Sequence, residues 1–274
     1  TAALQQALNE VATPDHAAVL YFPTGTYRIT QTLNFNSRTA ASLVGEDPAS
    51  TIIKWDGPTN AEMMFANSVN YSRWTRLTWD GSGKASLAVH HGYTSGTWQV
   101  TANLHTDEIF RDLGTGLAVD PANGGDTHLI VRCHFLRCSS SGIAVGSYNA
   151  IDWHVWDSLF EDCSYGLRSY AGMFHVYRSL FRRSKEADIH CSDGGAYYGI
   201  RGNTSIGSKA FVEGFSTKET IQGNTVIDSL DTNPIHLLGG GPITFLDNII
   251  VSRADAPSGP AVDVGDNLLS VGNT

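Results

Sequence analysis

Charge is scarce in this sequence. Asp, Glu, Lys and Arg make up 16% of its 274 residues, against about a quarter in an ordinary soluble domain. Lysine is the rarest of them, with five copies, so the chain lacks the basic clusters that track a phosphate backbone, and no nucleic-acid partner is expected. Long apolar runs are missing as well. No stretch reaches the roughly 18 residues that a membrane-spanning helix needs. Cysteine occurs four times, at Cys133, Cys138, Cys163 and Cys191, too few for a disulfide framework and in no zinc spacing. These four read as small buried apolar side chains. A secretion signal is also absent, and a start at Thr1-Ala2-Ala3-Leu4 reads as a processed or trimmed product.

What is present is 41% apolar residues, 10% aromatics and 28 glycines. That is enough to bury a large core, which excludes disorder. From residue 127 onward the chain divides at Thr127, Ile151, Met173, Ala196, Glu219 and Pro242, at intervals of 22 to 24 residues. One column across these units reads Cys133, Ser158, Ser179, Asn203, Asn224, Asn248, and another Phe135, Phe160, Phe181, Ser205, Val226, Ile250. A third runs Cys138, Cys163, Ser184, Ser208, Ser229, and a fourth Ile143, Leu167, Ile189, Phe211, Ile235, Val262. Like side chains at a fixed period mean stacked coils, none of which buries its apolar face alone. Three short strands in about 23 residues leave no room for a helix in each repeat. The fold expected is all-β, a right-handed parallel β-helix forming a single domain over residues 1–274, with a cap and first coils in 1–60 and coils in 68–274. Leu4, Ala7, Leu8 and Val11 follow helical spacing over Ala2–Val11, which predicts a short helix covering the apolar N-terminal end.

Strand alternation then predicts the exposed rows. With Ile143, Leu167, Ile189, Ile235 and Val262 inward, Ala144, Arg168, His190, His236 and Asp263 point outward. In the coil 196–218 the register is open by one residue. Burying Glu213 would be costly, so that coil is shifted to expose it. The row becomes Arg168, His190, Glu213, His236, Asp263, with His90 and Asp120 as its extension, Tyr170 on the same face, and Asp193 in the turn after His190. A second row holds His154 and His175, flanked by Tyr177 and Arg201. Adjacent His90 and His91 face opposite sides of a strand, so they do not form a metal pair. No protein metal site is expected. Ca²⁺ is the one cofactor considered, at Gly124-Gly125-Asp126, where a single carboxylate falls far short of six oxygens.

The stretch Ala17-Ala18-Val19-Leu20-Tyr21-Phe22-Pro23-Thr24-Gly25-Thr26-Tyr27-Arg28-Ile29 resembles the opening of the pectate-lyase-like superfamily, V-x-h-P-x-G-x-Y-x-I. Leu43-Val44-Gly45-Glu46-Asp47 and Ser50-Thr51-Ile52-Ile53-Lys54-Trp55 continue the likeness. The Gly/Asp-rich lead usual in that superfamily does not precede the helix. The resemblance implies a secreted protein that acts on or binds a polysaccharide, with no membrane partner, as a monomer or homo-oligomer. It also implies a substrate cleft floored by the first row. The Asn-Thr-Asp, Asp-Asp and Gly-His-Gly set of polygalacturonase-type hydrolases is absent, as is the Trp-x-Asp-His calcium motif of pectate lyases.

Three chemistries fit the residues. A lyase needs a base and a cation beside an enolate-like charge; His190 or His236, Arg168 and, as proton donor, Tyr170 meet that need. A glycosidase needs two carboxylates, which Glu213 with Asp193 or Asp263 supplies. His154, His175, Tyr177, Asp120, Asp263 and Arg201 would bind substrate. The dominance of His and Arg favours the lyase. The third alternative is a glycan-binding or tailspike-like β-helix without catalysis.

Overall fold

The computed structural model describes residues 1–11, 18–36, 39–93, 100–119, 125–192, 197–215, 218–239, 241–251, 253, 259–265 and 267–274. Strands follow one another in a cycle through three parallel sheets, interrupted among the described residues only by Val100–Thr101 and Gly125–Asp126, which pair as a separate two-stranded sheet. Among the described residues, sheet A contains eleven strands, from Val19–Phe22 to Leu268–Val271, and sheets B and C contain ten each. Sheet B runs from Gly25–Ile29 to Ile249–Val251 and sheet C from Leu33–Asn36 to Val262–Val264. Every pairing is parallel, as a β-helix requires.

The predicted columns are physical ladders. The rings of Phe110, Phe135, Phe160 and Phe181 stack face to face at 4.9, 4.8 and 4.8 Å, with none of them exposed. Where sheet A turns into sheet B, the Asn203 backbone N–H and side-chain amide both donate to Asn224 Oδ1, at 2.9 and 3.0 Å. Asn224 repeats the arrangement with Asn248, and Asn248 with Asn273. Each amide also donates to a carbonyl of the preceding strand, so a buried corner keeps its polar groups satisfied. The four cysteines are buried free thiols.

The scarce charge has a definite place. From the strand Arg73–Thr75 onward, the residue after each sheet A strand turns the corner with a left-handed backbone, with φ between 46° and 69° at Arg76, Asp107, Arg132, Asp157, Arg178, Gly202, Gly223, Asp247 and Gly272. Asp112, Arg137, Asp162 and Arg183 do the same after sheet B strands. Opposite charges in consecutive coils close as two-pronged ion pairs, Arg132 on Asp107, Arg137 on Asp112, Arg178 on Asp157 and Arg183 on Asp162.

The helix is Ala2–Glu10, with Leu8 and Val11 buried beneath it. Gln5 blunts the open edge of sheet C. Its amide nitrogen donates to the Asn34 carbonyl and its amide oxygen accepts from the Asn34 N–H, both at 2.8 Å. Among the described residues, no helix is long and apolar enough to cross a membrane.

Candidate functional site

Sheet C carries the predicted row. Its register runs Phe65, His90, Ala118, Ala144, Arg168, His190, Glu213, His236, Asp263, one residue per coil, about 4.8 Å apart. Val212 pairs with Ile189 and Ile235, which sets Glu213 in line with the histidines, while Phe211, given that ladder place from the sequence, is buried one residue earlier. One member is corrected. Aligning His90 with Asp120 slips the register by two residues, because Leu117 pairs with Val89 and Ala118 takes the row position. A two-residue slip preserves alternation, so the sequence pattern does not reveal it. Asp120 itself lies outside the described residues, as do Asp193 and Gly124.

Three imidazoles of the row are held by carboxylates. Nδ1–H of His190 donates to Glu213 Oε1 at 3.2 Å, that of His236 to Asp263 Oδ2 at 2.9 Å, and that of His90 to Glu62 Oε2 at 2.8 Å. An ionised carboxylate only accepts, so each pair sets the tautomer and leaves Nε2 with its lone pair. The hydrogen bond from His190, aided by the Tyr165 phenol, draws the Glu213 carboxyl below its ordinary range, against the opposing effect of burial.

Arg168 is bracketed by two aromatic faces. Its guanidinium carbon stands 4.8 Å from the Tyr165 ring centre and 4.6 Å from that of Tyr170. Its Nε is buried without a hydrogen-bond partner, and no carboxylate pairs with it among the described residues. Toward the N-terminal end of the row, Ala118 and Ala144 leave the floor beside this cation low. Tyr165, which the sequence analysis missed, meets His190 edge-on at 5.7 Å. It reaches the face of Arg168 although three residues away, because strict alternation breaks at this point: Gly166 and Leu167 are both buried, between the half-buried Tyr165 and Arg168. A Cβ on Gly166 would meet the Asp188 carbonyl and the Phe181 ring, both at 2.6 Å. Glu62 starts the column in which Tyr165 stands and escaped for the same reason.

The second predicted row lies on sheet A, a different face. His154 pairs with His175, and Trp156 with Tyr177 and Tyr177 with Arg201. His175 is buried, not exposed as expected, because the rings of His154, Tyr197 and Tyr177 crowd it at 4.9, 5.3 and 6.2 Å. His91 is buried inside the coils with His105 and His128, as opposite-facing neighbours predict. Trp74 and Trp79 are core residues.

Residues 1–151 match the family described as "Rhamnogalacturonase A/epimerase, pectate lyase-like". No curated protein matches the sequence. Among solved structures, the chain superposes on the catalytic unit of a GH87 α-1,3-glucanase from Streptomyces thermodiastaticus with a TM-score of 0.61 at 15% identity, covering 100% of this chain and 65% of that one. It superposes on the capsular polysaccharide depolymerase tailspike gp49 of Acinetobacter baumannii bacteriophage Fri1 with a TM-score of 0.57 at 11% identity, covering 100% and 55%. ORF18 of Geobacillus virus E2 gives 0.56 at 16% identity, covering 92% and 58%. The chain therefore spans 55 to 65% of the length of these three structures, and at such identities they establish the shared fold.

Proposed function

The chain belongs to the rhamnogalacturonase A/epimerase, pectate lyase-like family, and from that premise we propose that it is a carbohydrate-active β-helix that cleaves a uronate-containing polysaccharide by β-elimination on the outer face of sheet C. One observation carries this reading. His190, its tautomer set by Glu213, stands in the coil next to Arg168, a cation with no carboxylate partner among the described residues. In the reaction His190 Nε2 takes the proton α to the uronate carboxylate. Arg168 stabilises the charge that develops on that carboxylate, where a low, partly buried setting strengthens the interaction. The C–O bond at the β carbon then breaks, a C=C bond forms in the new non-reducing end, and a proton passes to the leaving oxygen from Tyr170 or Tyr165. Polysaccharide-active proteins among the fold's relatives support a glycan partner, and a glycan of this kind implies an extracellular place of action.

The competing reading is hydrolysis. Glu213 and Asp263 stand two coils apart, roughly 9–10 Å by strand spacing, at the upper end of the interval between carboxylates in inverting glycosidases. Both carboxylates are engaged by histidines, which favours elimination.

The test is digestion of uronate polysaccharides with the wild type and with Arg168→Ala and His190→Ala. Elimination produces an ultraviolet-absorbing unsaturated product in step with new chain ends, and both variants lose it while keeping the wild-type Tm. New reducing ends without absorbance identify a hydrolase, binding without cleavage a tailspike-like binder, and full activity in both variants removes this site.

A further inference from the structure

Asp152, His154 and His175 converge on sheet A, apart from the row on sheet C. Asp152 turns the corner before the strand Trp153–Trp156 with a left-handed backbone, φ 55°. His154 follows two residues later on the same face, and His175 is its ladder partner in the next coil. One ligand atom from each residue lies within 4.8 Å of the other two. His175 Nε2 stands 3.9 Å from Asp152 Oδ1.

That separation is too long for a hydrogen bond. It is close to the span across an ion bound by both atoms, since metal–nitrogen and metal–oxygen bonds are each about 2.0–2.2 Å. The contrast with the rest of the molecule is direct. His90, His190 and His236 each close on one carboxylate at 2.8 to 3.2 Å, whereas here two imidazoles and a carboxylate stand within 4.8 Å of one another, with His175 Nε2 still 3.9 Å from the carboxylate. His175 is also held in place. A Cβ at Gly199, the next residue of the ladder, would lie 2.6 Å from its Nδ1, so glycine there admits the ring, and Tyr197 and Tyr177 flank it.

We propose that Asp152, His154 and His175 form a binding site for a divalent transition-metal ion of the Zn²⁺ class. Two imidazole nitrogens with one carboxylate suit Zn²⁺, Ni²⁺ or Cu²⁺, and are a poor match for Ca²⁺ or Mg²⁺, which take oxygen donors in larger number. Three protein ligands leave at least one coordination position for water or a sugar hydroxyl. The site is independent of the chemistry assigned to sheet C.

The experiment is calorimetric titration of the chelator-treated chain with ZnCl₂, alongside Asp152→Asn, His154→Gln and, as control, His236→Gln. Asn tolerates the left-handed backbone of position 152, and near-ultraviolet circular dichroism confirms that each variant is folded. The expected result is one Zn²⁺ per chain, weakened by about tenfold or more in the Asp152 and His154 variants and unchanged in the control. Substitution with Co²⁺ gives a visible absorption band that both site variants lose. No binding by the wild type, or equal affinity in Asp152→Asn and His154→Gln, overturns the proposal, as does binding abolished by His236→Gln.

Discussion

His190 and Glu213 stand opposite one another in adjacent coils, and the imidazole Nδ1–H donates to the carboxylate across 3.2 Å. The bond orients the ring and leaves Nε2 as the only nitrogen able to accept a proton. Replacing Glu213 with Gln keeps the shape but removes the charge that supports an imidazolium. The expected outcome is a fall in kcat of about a hundredfold or more with KM little changed. Steady-state kinetics on the preferred uronate polymer provide the check, and an unchanged kcat excludes this role.

Acid should weaken the fold through its buried histidines. Burial, and then the neighbouring imidazoles, hold His91 well below the ordinary histidine value and His128 at about 3. Both are therefore neutral in the folded chain and protonated more readily once it unfolds. Their contribution is complete above about pH 6.5 and declines as pH falls toward the folded values. Thermal unfolding at about pH 7.5 and 4.5 should show a lower Tm in acid, with a smaller drop in His128→Asn. Equal slopes for wild type and variant would show that His128 does not contribute.

Asp188 acts in the opposite direction. It is fully buried, and burial raises its carboxyl to about 7, with the hydroxyls of Ser184, Ser205 and Ser208 opposing the rise. Those hydroxyls surround it without hydrogen-bond geometry to either oxygen. A raised folded pKa means that stability is complete below the unfolded value and lost as pH rises through about 7. At about pH 8 the cost is on the order of 4 kcal/mol. Asp188→Asn should therefore unfold at a higher temperature than the wild type in alkaline buffer, and the advantage should shrink steadily as pH is lowered toward about 4.

The charged corners separate backbone strain from ion pairing. Arg178 adopts φ 46° and grips Asp157 with two nitrogens, at a position where later coils carry Gly202 and Gly223. An exposed pair contributes about 1 kcal/mol or less, and a left-handed non-glycine residue costs about 1–2 kcal/mol. Arg178→Gly should thus unfold at or above the temperature of Arg178→Ala, which loses the pair and keeps the strain. The reverse order in denaturant titrations would show that the left-handed backbone at position 178 carries no such strain.

Stacking in the interior should matter far more. Phe160 lies between Phe135 and Phe181 at 4.8 Å from each, and Phe160→Ala should cost about 3–5 kcal/mol in a urea titration. A loss under about 1 kcal/mol would mean that neighbouring coils collapse into the space.

Much of this architecture was legible in the residues. The interval of 22 to 24 aligned the phenylalanine stack, the Asn/Ser ladder and the inward aliphatics, and the cost of burying Glu213 settled the register of its coil. Arg168, His190, Glu213, His236 and Asp263 were placed in line on that basis. Tyr165 and Glu62 were not, because two consecutive buried residues, Gly166 with Leu167 and Met63 with Met64, break the alternation and put residues three apart on one face. His175 was misjudged as exposed because its cover comes from Tyr197, more than twenty residues along the chain.

The period of the side chains determined the β-helix and its three-sheet cycle, helical spacing in residues 2–11 determined the N-terminal cap, and the motif in residues 17–29 carried the resemblance to the family. Those features depend on patterns repeated within single coils, which a linear reading resolves. Only the tertiary structure decided which side chain in one coil meets which in the next: Ala118 in place of Asp120, the grip of Glu62 on His90, and the open triangle of Asp152, His154 and His175. A shift of two residues preserves every inward and outward assignment, so alternation cannot choose between such registers. The choice is made by packing and hydrogen bonding between coils, which also pair charges at the corners and gather others on one face of sheet C.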